Sequence, residues 1–276
     1  MPELPEVETI KKDLEKLIVG RRILGIKSNT AKMIEPSFEV VQKAIVGRKI
    51  TKVGRRAKLV EIFLDDGGFL VFHLKLTGRL LVRKNSDLED DWQRIIISLS
   101  GEKELRFCDL RKFGWLKLIK DQKELEKLTK EFGPEALDGL TFGVFQKILA
   151  GSRRPVKVLL MDQKEISGIG NIYANDALWL AGISPTKESK KLRTEEQEKL
   201  YKAINTVLKA GIKYRGASDQ HYLDALGKKG HYQEHFLVYG RQGKKCFNPA
   251  CRQVGAVIEK IKLGGRGTYF CPNCQV

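Results

Sequence analysis

Four of the five cysteines, Cys246, Cys251, Cys271 and Cys274, crowd the C-terminal end of a 276-residue chain. Their spacing, C-x4-C, nineteen residues and C-x2-C, predicts two knuckles of a β-hairpin presenting four thiolates to one tetrahedral zinc. Four thiolates leave no open position, so the metal is expected to be structural. Unligated buried thiols are the alternative; Lys244, Lys245 and Arg266 around them would make a poor apolar core. The N-terminus, Met1-Pro2-Glu3-Leu4-Pro5-Glu6, offers different chemistry. It suits the start of a helix, where proline is tolerated and acidic side chains complement the dipole. With Met1 removed, however, Pro2 is also a secondary amine whose reference pKa lies near about 8, so part of it is neutral at physiological pH. Attack of that amine on a sugar C1′ gives an iminium directly, which acidifies the C2′ proton and permits β-elimination of the 3′ phosphate. Glu3 is the adjacent carboxyl that could shuttle protons.

These groups need elements to position them. Residues 5–19 read as an amphipathic helix with Val7, Ile10, Leu14 and Leu17 on one face, stopped by Gly20. From about residue 22 to 120 the pattern becomes strand-like. LVEIFL and FLVFHLKL flank a turn at Asp65-Asp66-Gly67-Gly68, and RIIISLS and KELRFCD flank Gly101. After Asp121 the chain turns helical: DQKELEKLTKEF and TFGVFQKIL carry helical spacing, and Pro155 suits the first turn of a short helix ending near Met161. Another helix follows Gly168-Ile169-Gly170-Asn171. A longer one starts at Thr194, with Gln197 expected to close a capping box and Leu200, Ile204, Leu208 and Ile212 buried. Residues 216–230 read as a loop.

Lys and Arg number 51 against 34 Asp and Glu, a formal charge of +17, which suits a polyanionic partner through counterion release. No apolar run approaches a membrane span and no signal peptide is legible, so a cytoplasmic protein is expected. A reducing compartment disfavours a disulfide framework, leaving metal binding for the cysteine cluster.

The segments PELPEVET, HLKLTGRL, DLRKFG, GPEAL, LLMDQKEISGIGNIYANDALWLAGISP and GRGTYFCPNCQ together resemble the formamidopyrimidine-DNA glycosylase family, in its order and over essentially the whole chain. Leu4, where endonuclease VIII-like relatives usually carry glycine, favours the branch acting on oxidised purines. The resemblance implies an α+β protein: an N-terminal antiparallel β-sandwich with flanking helices (2–130), a helical domain with a helix-two-turn-helix and lesion loop (131–232), and a zinc-binding β-hairpin (233–276). It implies one structural zinc and damaged double-stranded DNA, in a basic cleft, as partner of a monomer. It makes Pro2 the Schiff-base nucleophile, Glu3 the proton donor, Lys58 a participant in β-elimination and Arg266 in δ-elimination. Leu76, Arg111 and Phe113 would fill the gap left by an extruded base. Asn171 would hold phosphate at a helix N-terminus, with Arg153 and Lys157 reaching phosphate or base. Gln220, His221 and Tyr222 would belong to the lesion loop.

Several positions depart from the family pattern. Leu76 replaces a methionine, the first zinc knuckle and its spacer are longer, Trp92 stands where a histidine is common, and Gln220-His221 replace Arg-Thr. Rival readings are the same chemistry on oxidised pyrimidines or RNA, and a non-catalytic zinc-ribbon protein that binds damaged DNA.

Overall fold

The computed structural model describes residues 1–219 and 221–276. They form two compact units, Met1–Lys130 with Tyr214–His231, and Glu131–Lys213 with Tyr232–Val276. The segment 214–231, grouped by sequence with the helical part, packs with the first unit because its polar groups are used there. Ala225 accepts from Val82 N at 2.8 Å, and Arg215 pairs with Asp13 at 2.5 Å.

The first unit opens with α1 (Leu4–Ile18). Val7, Ile10, Leu14 and Ile18 are fully buried along one stripe, each contributing about 2 kcal/mol of apolar burial. Two sheets follow. One has the strand order β1 (Ile23–Ser28), β7 (Gln93–Leu99), β8 (Lys103–Asp109), β6 (Gly78–Lys84). The other runs β2 (Ile34–Glu35), β9 (Trp115–Ile119), β5 (Phe69–His73), β4 (Leu59–Leu64), β3 (Ile50–Arg56). Their inner faces share a core with the α1 stripe, including Ile62, Phe72, Ile97 and Phe107. Every pairing is antiparallel except the short β2–β9 contact, Ile34 with Leu116 and Glu35 with Lys117. The predicted strands LVEIFL and KELRFCD coincide with β4 and β8. FLVFHLKL stops early at His73, because the chain leaves this sheet there and crosses to β6 in the other. Gly78 is required there: a Cβ would lie 2.5 Å from the Leu74 carbonyl oxygen. The short α2 (Phe38–Ile45), capped by the Ser37 hydroxyl, and α3 (Gln122–Thr129), capped by Asp121, flank the sheets.

The second unit contains α4 (Phe142–Ala150), α5 (Val156–Met161), α6 (Asn171–Ala181), α7 (Thr194–Lys213), α8 (Pro249–Gln253) and the hairpin β10 (Glu259–Leu263) and β11 (Arg266–Phe270). Three expected details differ, the first being that Ile212 is only half-buried while Leu200, Ile204 and Leu208 are buried as expected. Pro155 is the N-cap of α5, just outside its first turn. The α7 start is closed by Glu196, which accepts from Arg193 N at 2.9 Å, while the Gln197 amide reaches the Leu192 carbonyl. Glu196 wins because its carboxylate is also paired with Lys187. Among the described residues no helix is long and apolar enough to cross a membrane.

His73, at the end of β5, accepts from Lys75 N at 2.9 Å. Burial first, then the charges of Lys75 and Lys58, push its pKa down to about 3. The folded value lies below the unfolded one, so this stabilisation is complete above about pH 6.5 and is lost as pH falls toward 3. The His73 ring resonances should therefore stay at neutral positions in an NMR titration from pH 8 to about 4. Titration near pH 6.5 in the folded protein would contradict the burial argument.

Candidate active site and zinc centre

The start of α1 is held by one carboxylate. Glu6, 1% exposed, accepts from Glu3 N at 2.8 Å through Oε2 and from Ala217 N at 2.8 Å through Oε1. Pro2 and Glu3 are buried, while Met1 is half-exposed. Glu8 pairs with Arg55 at 2.9 Å and fixes α1 over the end of β3. Lys58 follows that strand in the tight β3–β4 turn, after Ala57 in the left-handed region (φ 53°). It is buried rather than an outward strand charge. Sequence reasoning named Glu6 only as a helix-start acid, although its spacing from Glu3 is that of a capping box.

The three expected gap-fillers sit on turns of the first unit. Leu76 is half-buried between β5 and β6. Arg111 and Phe113 are exposed between β8 and β9, with the Arg111 guanidinium 4.7 Å from the Phe113 ring centroid. Phe113 is 53% exposed and so is no core aromatic. The turn that carries it is nevertheless fixed. Asp109, fully buried, accepts from Thr77 Oγ1, from Arg111 N at 3.1 Å and from Gly114 N at 2.8 Å. A buried carboxylate that accepts both backbone N–H groups flanking an exposed phenylalanine presents that side chain on a rigid support. Sequence reasoning missed Asp109 and Thr77, since a polar pair 32 residues apart leaves no periodic signal.

His221 lies in the loop with its ring edge-on to Trp92, centroids 5.8 Å apart. Tyr222 is a core residue, and its hydroxyl donates to the Glu6 carbonyl at 3.4 Å. It belongs to the loop, as expected, and anchors it to the core. Gln220 lies outside the described residues.

In the second unit the four cysteine Sγ atoms all lie within 4.8 Å of one another. Cys246–Cys274 is 3.9 Å and Cys251–Cys271 is 3.7 Å. Zinc–sulfur bonds of about 2.3 Å in a tetrahedron require edges of about 3.8 Å, so the cluster fits zinc. Burial, then the neighbouring thiols, push the Cys274 pKa up; a cation is what lets all four ionise together. Trp179 Nε1 donates to Cys246 Sγ at 3.3 Å and Asn273 to Cys251 Sγ at 3.2 Å, a supporting shell for thiolates. The hairpin turns at Gly264-Gly265, both at positive φ, and β11 begins with exposed Arg266. Its far strand is bound to α6, because Asn175 accepts from Tyr269 N at 2.9 Å and Asn171 donates to Gly267 O at 3.1 Å. Lys157 departs furthest from expectation. It is 1% exposed and donates to Thr268 Oγ1 at 2.6 Å and Gly267 O at 3.1 Å, so its ammonium fastens the hairpin to α5 instead of lying on the surface. Arg153 is exposed. A cleft of about 300 Å³ gathers Arg154, Lys157 and Arg266. Asp176 on α6 accepts from Leu237, Val238 and Tyr239 N and fixes the chain approaching the first knuckle. Burial raises its pKa to about 6.

Residues 1–116 match the family model for the formamidopyrimidine-DNA glycosylase N-terminal domain, 132–222 that for the formamidopyrimidine-DNA glycosylase H2TH domain, and 255–276 that for a zinc finger found in FPG and IleRS. The chain is 41% identical over 278 residues to the formamidopyrimidine-DNA glycosylase of Chloroflexus aggregans, covering 100% of this chain and 99% of that one. The chain belongs to the formamidopyrimidine-DNA glycosylase family. The corresponding protein of Streptococcus pneumoniae is 36% identical, with 100% and 99% coverage. A solved Lactococcus lactis Fpg complex with abasic-site DNA superposes with a TM-score of 0.91 at 35% identity, covering 99% of each chain. A complex of MutM with DNA containing carbocyclic 8-oxo-G gives 0.90 at 35% identity and the same coverage. The zinc-finger match begins after Cys246 and Cys251, so the first knuckle, where this chain has its longer C-x4-C spacing, lies outside it.

The metal follows from family and geometry together: one structural zinc on Cys246, Cys251, Cys271 and Cys274. Purified protein should hold about one zinc per chain. Chelation or Cys271→Ser should remove it and speed tryptic cutting after Arg266 about tenfold or more, because the hairpin loses its fold. Metal-free protein with an unchanged tryptic pattern would refute this role.

Proposed function

We propose that this chain is a bifunctional base-excision-repair enzyme that removes oxidised purines, 8-oxoguanine and formamidopyrimidines, from double-stranded DNA and then cuts the strand through Pro2. The observation that carries the reading is the buried Pro2-Glu3 pair at a helix start held by the Glu6 carboxylate, in a member of this family. With Met1 attached, the Pro2 nitrogen is a tertiary amide without a nucleophilic lone pair; Met1 is half-exposed and open to removal.

The bond changes then run in order. The free Pro2 amine attacks C1′, and the glycosidic bond breaks as the base leaves with its electron pair and takes a proton, Glu3 being the donor. The attacking nitrogen gives up its proton, the C1′–O4′ bond breaks with a proton going to O4′, and the opened sugar is an iminium. A base takes the C2′ proton that the iminium acidifies, and the 3′ phosphate departs by β-elimination. A second elimination releases the 5′ phosphate, and water hydrolyses the remaining iminium to free the Pro2 amine. Lys58, buried beside the end of β3, acts in the first elimination, and Arg266 at the hairpin tip in the second. An extruded base leaves a gap. The exposed Phe113 and Arg111, braced by Asp109, suit that gap, with Leu76 as a further apolar filler. Asn171 at the α6 start, Arg153 and Arg266 suit the lesion-flanking phosphates, whereas Arg154 is committed to Asp162 and Glu165. Lys157 serves phosphate through the hairpin it holds. One chain carries all these groups, which fits a monomer.

Borohydride trapping tests the reading. The enzyme incubated with a duplex bearing 8-oxoguanine opposite cytosine should give a reduced covalent adduct that peptide mass spectrometry maps to residue 2. Retaining Met1 should abolish the adduct and leave phosphate-driven binding nearly intact. An adduct on Lys58 or Lys157 would reassign the nucleophile. Tight binding with no adduct from fully processed protein would mark a non-catalytic binder.

A further inference from the structure

Trp92 precedes β7 with φ of 59°, a left-handed conformation that bulky side chains avoid. Such strain persists where the surroundings over-determine it, and it collects at functional sites. The Trp92 carbonyl accepts from Asp109 N at 3.0 Å, on the residue that braces the Phe113 turn. The guanidinium of Arg79 lies 5.2 Å from its ring centroid. His221 meets the ring edge-on at 86°. Arg79 also donates from Nε to the His221 carbonyl at 2.6 Å. Trp92 thus takes the His221 ring, Arg79 takes its backbone, and the two clamping residues rest on each other.

The clamped loop has no helix or strand at 216–219 or 221–230. Its two sides are fixed elsewhere. Ala217 N is on Glu6, one carboxylate away from Glu3 N, and Asp224 is on Arg215 at 2.6 Å. Between those anchors Tyr222 seats the loop on α1 through the Glu6 carbonyl, and His221 ties it to Arg79 of β6 and to Trp92, just before β7. We infer that Trp92 and Arg79 are positioning residues for base recognition: by holding His221 they set the loop that starts beside the reactive N-terminus, and so govern release of the damaged base more than cutting of the strand. The inference rests on the glycosylase reading above. A preformed abasic site has no base for the loop to hold, whereas an intact lesion must be gripped before its glycosidic bond breaks.

Single-turnover rates measured on two duplexes, one with 8-oxoguanine opposite cytosine and one with a preformed abasic site, separate the two activities. Trp92→Ala should lower the ratio of base excision to abasic-site cutting about tenfold, the size expected for losing one aromatic and one cation–π contact. His221→Ala, a loop change with little risk to folding, should lower the same ratio, and the double variant should be no worse than the worse single one. Trp92→Phe should restore most of the ratio. Equal losses on both duplexes would show a merely structural role and overturn the proposal, as would an unchanged ratio in His221→Ala or additive losses in the double variant. A wild-type enzyme that excises nothing and forms no borohydride adduct would instead defeat the underlying reading, a different signature.

Discussion

The carboxylate of Glu6 is the interaction on which the rest of the reactive end depends. On the proposed reading the nucleophile is the chain terminus, which cannot be held from both sides, so the residues after it must fix it. Burying a carboxylate is costly unless its oxygens are hydrogen-bonded, and here each oxygen takes a backbone N–H, one from Glu3 and one from Ala217. The same group therefore locks the start of α1 and the start of the 216–230 loop. Leu4 and Val7, both fully buried, supply the apolar seat beneath it, and the Arg55–Glu8 pair sets the helix over β3.

The same device recurs wherever irregular backbone must be rigid. Asp109 gathers Arg111 N and Gly114 N around the Phe113 turn. Asp224 accepts from Leu226 N and Lys228 N in the loop. Asp176 accepts three consecutive N–H groups before the first zinc knuckle. Turns without regular structure carry backbone donors that need partners, and a short carboxylate satisfies two or three of them at once. Asp176, like Asp109 and Asp224, is fully buried, and burial raises its pKa to about 6. Its folded value lies above the unfolded one, so its contribution to stability is present below about pH 4 and is lost as pH rises through 6. That is opposite in sense to His73.

The regular elements were legible because periodicity reports burial: Val7, Ile10 and Leu14 of α1 and the runs of β4 and β8 were readable from apolar spacing alone, although Ile18, and not the half-buried Leu17, completes the stripe. The zinc centre was legible because four cysteines in two pairs constrain one another. What the sequence concealed were groups whose role depends on distant partners. Lys157 reads as a solvated cation until Thr268 and Gly267 are brought to it. Tyr222 reads as a loop residue until Glu6 and the core surround it. Trp92 and His221 were visible only as departures from the family pattern, and nothing in their separate positions said that the two rings touch.

One carboxylate organises two segments, and amide hydrogen exchange on Glu6→Gln reads that directly. Replacing one oxygen by an NH₂ sets a donor against a backbone donor, so one of the two N–H groups must lose its acceptor. In the wild-type protein the Glu3 and Ala217 amides should be protected. In the variant, protection should fall about tenfold or more at one or both, while amides in the β7–β8 ladder stay unchanged. Wild-type exchange at both Glu3 and Ala217 in the variant would contradict the claim that Glu6 joins the helix start to the loop.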